Sequence, residues 1–141
     1  MNLRSPLAGP ASIVLGVGTD LTDVEMVRAA LQRRPGLRHR IFTDDEWAFA
    51  ARHRDPFPHL AARFAAKEAV MKALGQGMSR IRFSDVEVRR DRSAPWLELH
   101  STAASAAREV GVDAWHLSLT HTKSIAHAIA VAVAASTEVS Q

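Results

Sequence analysis

Arg63 to Gly75, reading RFAAKEAVMKALG, is the stretch on which the fold turns. With Leu60 just upstream, Phe64, Met71 and Leu74 recur at spacings of four, seven and three, which predicts a helix with one apolar stripe. Gly75, with Gly77 behind it, supplies the stop. The opposite face is expected to carry Arg63, Lys67, Glu68 and Lys72, three cations around one carboxylate. Arg63 and Lys67, four residues apart, repel mildly, while Glu68 and Lys72 attract by roughly a few tenths of a kcal/mol. Such a face gains little as plain surface, but it suits a polyanion held through a metal ion. A solvated face with one surface salt bridge is the alternative when the helix is taken alone.

The chain has 141 residues, 47% of them hydrophobic, which is one domain's worth with one core. Eighteen Lys and Arg against fifteen Asp and Glu give a net charge of only +3. That balance favours anionic partners weakly and is no nucleic-acid signature. With no cysteine, disulfides, thiolate metal sites and a cysteine nucleophile are excluded. The opening MNLRSPLAGPAS lacks the apolar core of a secretory signal, and no run approaches the length of a membrane span. No membrane association and a cytoplasmic location are expected.

Outward from the helix, residues 1–12 read as a flexible leader, 13–134 as the folded domain and 135–141 as a polar tail. Ile13 to Asp20, IVLGVGTD, reads as a buried strand ending in a carboxylate. Thr22 and Glu25 fit a capping box opening a helix that runs to about Arg34 and closes at Pro35-Gly36. Thr43 and Glu46 repeat that device for a helix over Asp44 to His53. Arg82 to Arg90 and Trp96 to His100 read as paired strands. Ser101 or Thr102 is expected to cap an alanine-rich helix ending at Gly111. Trp115 to Thr120 and Ala126 to Ala134 read as two strands joined by His121 to Ile125. This order of elements is an α+β pattern.

Asp20 is a candidate ligand because aspartate forms strands poorly and sits here after Gly16 and Gly18, where the backbone can approach something closely. Thr22 is better placed for capping, so Asp20 is free to act as a hard oxygen ligand. Glu68 is a possible second. Two carboxylates with waters and phosphate oxygens is a common way to hold Mg²⁺. His121 lies among Ser118, Thr120, Thr122 and Lys123, donors that suit phosphate oxygens. The other histidines show no metal-ligand spacing, so zinc is not expected.

Together these stretches resemble one family, the holo-acyl-carrier-protein synthases, the small trimeric class of 4′-phosphopantetheinyl transferases. GVGTD (Gly16 to Asp20) is similar to the family's opening GxGxD, and IFTDDEW (Ile41 to Trp47) to its FTxxE segment. RFAAKEAVMKALGQG (Arg63 to Gly77) is nearly identical to its signature helix. HLSLTH (His116 to His121) is similar to its closing strand and histidine. The resemblance spans about residues 13–134 and implies a single-domain 4′-phosphopantetheinyl transferase-like fold, an antiparallel sheet packed against helices.

The resemblance also implies an activity: transfer of the 4′-phosphopantetheine arm of coenzyme A to a serine of an apo acyl-carrier protein, releasing 3′,5′-ADP. Asp20 and Glu68 match the family's Mg²⁺ ligands. Glu68 and Lys72 match catalytic positions, with Lys72 balancing charge on the diphosphate. Arg63, Lys72 and His121 match positions that hold coenzyme A. The serine's base is left open between Glu68 and a water beside the metal. Active sites between the subunits of a homotrimer are implied as well. The basic residue usual six positions past the aspartate is Met26 here, so Arg28 and the run from Arg33 through Arg38 and Arg40 are the candidates for docking an acidic carrier. The alternatives are a non-catalytic paralogue that keeps the coenzyme A pocket and, on charge alone, a nucleic-acid-binding module.

Overall fold

The computed structural model describes residues 11–136, so the leader up to Pro10 and residues 137–141 of the tail lie outside the described residues. The elements run β1 (Ser12–Asp23), α1 (Val24–Arg33), α2 (Leu37–Ile41), α3 (Asp44–Ala51), α4 (Phe57–Leu74), a 3-10 turn (Phe83–Asp85), β2 (Val86–Arg89), β3 (Trp96–Leu99), α5 (Ser101–Val110), β4 (Ala114–His121) and β5 (Ile125–Ala135). One antiparallel sheet has the order β1-β5-β4, and β2 pairs with β3 in a separate hairpin. The α+β expectation holds.

Small residues decide how α4 meets the sheet. Ala126, Ala128, Ala130 and Ala132 alternate along β5 and are fully buried, and Ala65, Ala66 and Ala69 on α4 are equally so. A Cβ at Gly16 would lie 2.0 Å from the Ala73 carbonyl oxygen, and one at Gly18 would lie 1.7 Å from that of Ala69. No side chain fits there, so the two glycines let β1 press directly on the helix backbone. The helix is consequently buried nearly all round rather than along one stripe, and ends at Gly75 in the left-handed conformation (φ 67°).

That burial corrects the expected polar face. Arg63 is 2% exposed and Lys67 0%, so of these four charges only Glu68 and Lys72 stand on the α4 surface. Lys67 Nζ donates to Glu46 Oε1 (2.8 Å), to the Phe83 carbonyl (3.0 Å) and to the Val86 carbonyl. Glu46 Oε1 also accepts from the Thr43 backbone N–H, closing the expected capping box, and Oε2 accepts from Val88 N. Burial pushes the Lys67 ammonium down from its usual pKa, and Glu46 opposes that shift. Three donors meeting three acceptors, one of them a carboxylate, keep the ammonium charged. Lys67 therefore ties α3, α4 and β2 together.

Other boundaries move for local reasons. β1 continues past Asp20 because its ladder with β5 runs on to Asp23, opposite Ile125. Asp23, not Thr22, then caps α1, accepting from Glu25 N (2.9 Å) and Met26 N (3.2 Å). Residues 82–85 turn before the strand begins at Val86. His100 precedes α5 without a side-chain cap, and Thr102 instead donates its hydroxyl to Asp85 Oδ2. The short α2 had no signal in the sequence. His121 closes β4 rather than opening the turn, paired with Ala126.

Candidate active site

Because β1 lies on the α4 backbone, Asp20 comes to the exposed end of that contact beside Lys72 and Glu68. Lys72 Nζ donates to Asp20 Oδ1 (3.1 Å) and to the Thr19 carbonyl (2.9 Å). Thr22, displaced from capping, donates its hydroxyl to Asp20 Oδ2 at 2.8 Å. Both carboxylate oxygens are thereby oriented, and the side chain remains 17% exposed. Partial burial and then the repulsion of Asp20 raise the Glu68 pKa above the usual carboxylate range, with Lys72 opposing. A carboxylate whose charge is opposed by a second one beside it is suited to sharing a divalent cation with it, which removes the repulsion. The donor set, two hard carboxylates open to solvent on one side, fits Mg²⁺.

A second carboxylate group lies on the β2–β3 hairpin, where ligand atoms of Glu87, Glu98 and His100 fall within 4.8 Å of one another. Its charge is already met: Glu87 accepts from the Thr43 hydroxyl (2.6 Å), lies 3.1 Å from His100 Nε2 and faces Arg89 at 3.6 Å. These contacts outweigh burial and hold the Glu87 carboxyl below its usual range.

Arg63 and His121 converge from different elements. The Arg63 guanidinium lies over the Phe49 ring at 4.1 Å, and its Nη1 donates to the His59 carbonyl at 3.4 Å. Its Nε is buried without a hydrogen-bond partner among the described residues. It lines a cavity of about 270 Å³ with Phe49, Arg52, Arg89, Arg90 and Asp45. Burial, assisted by Arg90 and opposed by Glu46, lowers its pKa to about 10. Arg89 is paired with Asp45 at 3.2 Å, and the buried Arg63 guanidinium beside Arg52 and Arg90 is suited to an anion. His121 is exposed at the end of β4, and its ring meets His59 edge to face at 5.0 Å. Arg52, Arg89, Arg90, His53 and His59 had no local signal in the sequence, since only tertiary packing gathers them.

The carrier-docking candidates differ in availability. Arg28 is engaged by Glu25 (3.2 Å) and Asp55 (3.1 Å) and stacks on Phe57 at 4.4 Å. Arg38 stacks on Trp47 at 4.4 Å and is half-buried, whereas Arg40 is exposed.

Residues 16–132 match the family model described as the 4′-phosphopantetheinyl transferase superfamily. The chain belongs to this superfamily. A holo-[acyl-carrier-protein] synthase of Moorella thermoacetica is 45% identical over 123 residues, covering 86% of this chain and 92% of the relative. One of Streptomyces avermitilis is 42% identical over 120 residues, 84% of this chain and 97% of the relative. The solved holo-(acyl-carrier-protein) synthase of Bacillus anthracis, in complex with CoA (3′,5′-ADP), superposes with a TM-score of 0.71 at 30% identity, covering 89% of this chain and all of that one. The family placed by the signature helix is the family found, with its fold. Among the described residues no helix is long and apolar enough to cross a membrane.

Proposed function

We propose that this superfamily member transfers the 4′-phosphopantetheine arm of coenzyme A to a serine hydroxyl of an apo acyl-carrier protein, giving holo carrier protein and 3′,5′-ADP. The observation that carries the site assignment is the convergence of Asp20, Glu68 and Lys72 on one exposed edge, with both Asp20 oxygens already oriented. Asp20 and Glu68 would hold Mg²⁺, which when bound neutralises the diphosphate and polarises its oxygens.

The remaining work falls to the chain's own groups. Coenzyme A carries a diphosphate and a 3′-phosphate, and Arg63 with its arginine-lined cavity and His121 supply donors for such oxygens. As the serine oxygen bonds to phosphorus, the bond to the ADP oxygen breaks and negative charge grows on the leaving phosphate. Lys72, 53% exposed and one turn beyond Glu68, is the cation available to it. The serine proton must leave in the same step. Glu68 or a water beside the metal is the acceptor at hand.

The assembly we propose is a homotrimer. The sheet face opposite α4 carries Val17, Leu21, Ile125 and Ile129, each between 36% and 70% exposed, and nothing among the described residues covers it. That apolar face supports burial against further copies of the chain. The carrier is taken to be acidic and to approach the basic stretch around Arg40. Intact-mass measurement of an apo carrier incubated with this chain, coenzyme A and Mg²⁺ tests the activity: addition of the phosphopantetheine mass is expected, and an unmodified carrier across a panel of carriers rejects it.

A further inference from the structure

We propose that His59 is a positioning residue of the coenzyme A site, holding the His121 imidazole and the Arg63 guanidinium in one aromatic frame. The inference rests on the reading above that His121 and Arg63 receive coenzyme A phosphates. Its own basis is the packing.

His121 stands at the exposed end of β4, where its only hydrogen-bond neighbour among the described residues is the Thr122 carbonyl, 3.3 Å from Nδ1. A side chain so placed has several rotamers open to it unless something packs against the ring. What packs there is His59, on the first turn of α4, 72° to the His121 plane with centroids 5.0 Å apart. His59 is itself fixed from behind. His53, just beyond α3, stacks on it at 3.6 Å and 25°, and Phe49 of α3 meets both rings at 5.1 and 6.0 Å. His53 is held in turn by its Nδ1, which donates to the Phe49 carbonyl at 3.1 Å.

The same frame carries Arg63. Its guanidinium lies on the Phe49 face, and it donates to the His59 backbone one turn before it on α4. Two phosphate donors from β4 and α4 are thus set relative to each other by one run of rings, Phe49, His53 and His59. A donor pair fixed before binding loses less side-chain entropy on the ligand than two free ones. His59 also suits this place electrically. Its pKa is lowered to about 4 by burial first and then by His53, His121, Arg63 and Arg90, so at neutral pH it is an uncharged ring among cations and does not compete for the anion. Its contacts are ring contacts, so a phenyl group should replace it.

The test is steady-state kinetics of the full chain with coenzyme A and an apo carrier varied separately, for His59→Ala, His59→Phe, His121→Ala and the double variant His59→Ala/His121→Ala. His59→Ala should raise KM for coenzyme A by about threefold to tenfold, the range one aromatic pair contributes. KM for the carrier should stay within about twofold. His59→Phe should restore the native value, and the double variant should be no worse than His121→Ala alone, because His59 acts through His121. An unchanged KM for coenzyme A in His59→Ala, with His121→Ala impaired, overturns the positioning role alone. Additive losses in the double variant also overturn it, since His59 would then touch the ligand itself. No effect of His121→Ala overturns the phosphate reading and this inference together. If His59→Ala fails to fold, failure of the folded His59→Phe to retain native KM overturns the proposal.

Discussion

Gly18 lies against Ala69 so closely that a single Cβ on the glycine would fall 1.7 Å from the Ala69 carbonyl oxygen. The atom in the way is backbone inside α4 and cannot swing aside. Gly18→Ala should therefore push β1 off the helix, at a cost of about 3 kcal/mol, the upper end of ordinary overpacking. Asp20, two residues on, would move away from Lys72 with it. The expected result is a Tm lowered by several degrees together with turnover reduced about tenfold or more at temperatures where the variant is folded. A variant of native stability and turnover would contradict the close contact.

Lys67 gives the second prediction. Replacing it with methionine keeps the volume but leaves Glu46 buried without its cation and removes the ammonium's hydrogen bonds to the Phe83 and Val86 carbonyls. The loss should be about 3–5 kcal/mol, measured by urea denaturation. Lys67→Arg should not rescue it, since the planar guanidinium cannot meet three acceptors arranged around an ammonium. Native stability in Lys67→Met would make the pair dispensable.

What the sequence made legible was what is local or carried by a family motif. The Thr43–Glu46 capping box and the Gly75 stop are decided within a few residues, and both stand where their spacing put them. The α4 surface is not legible in the same way, because hydrophobic periodicity treats alanine as neutral. Ala65, Ala66, Ala69 and Ala73 form a second buried face because the strand opposite is built on Gly16 and Gly18, a match visible only between distant segments. The same distance hid the cap at Asp23: the ladder to Ile125 keeps Thr22 in the strand. Of the candidate site, the gathering of Asp20, Glu68 and Lys72 is legible through the signature motifs. That of His53 and His59 is not, because stacking with His121 depends on how α3, α4 and β4 pack.

The metal proposal predicts that Asp20→Ala and Glu68→Gln stay folded but lose most turnover, and that excess chelator does the same to the native chain. Full activity in any of the three would reject it. The raised Glu68 pKa adds a sign to the pH dependence. A carboxyl that holds its proton more tightly folded than unfolded contributes stability in acid, and that contribution is lost as pH rises through the folded value. A bound divalent cation favours the carboxylate, so the Tm gain on adding Mg²⁺ should grow with pH across the same window. A gain independent of pH would separate Glu68 from the metal.

His59 predicts acid sensitivity of the opposite sign. Its pKa falls from the ordinary 6.5 to about 4 on folding, so below 6.5 the unfolded chain takes up a proton that the folded chain refuses. The stability due to the neutral ring is complete above pH 6.5 and is lost as pH falls toward 4. Tm measured from pH 7 to pH 4.5 should therefore drop more steeply for the native chain than for His59→Phe, which has no proton to take up. Parallel curves would place the sensitivity elsewhere.

Carrier docking is the remaining question, and the three candidate arginines should not behave alike. Arg28 is already faced by Glu25 and Asp55, so little of its field reaches a partner, and Arg38 is half-buried against Trp47. Arg40 is exposed, as are Arg33 and Arg34 nearby, and its charge acts outward. Long-range attraction between such a cluster and an anionic partner raises the association rate and is screened by salt. Arg40→Glu should therefore raise KM for carrier about threefold or more at low ionic strength, with the gap to the native chain closing as salt is added. KM for coenzyme A should stay unchanged in the same variant. Arg28→Ala should shift the carrier KM less than Arg40→Glu does. Carrier kinetics indifferent to salt and to Arg40→Glu would move the docking surface away from this segment, and a larger effect at Arg28 would mean that its ion pairs open when the carrier arrives.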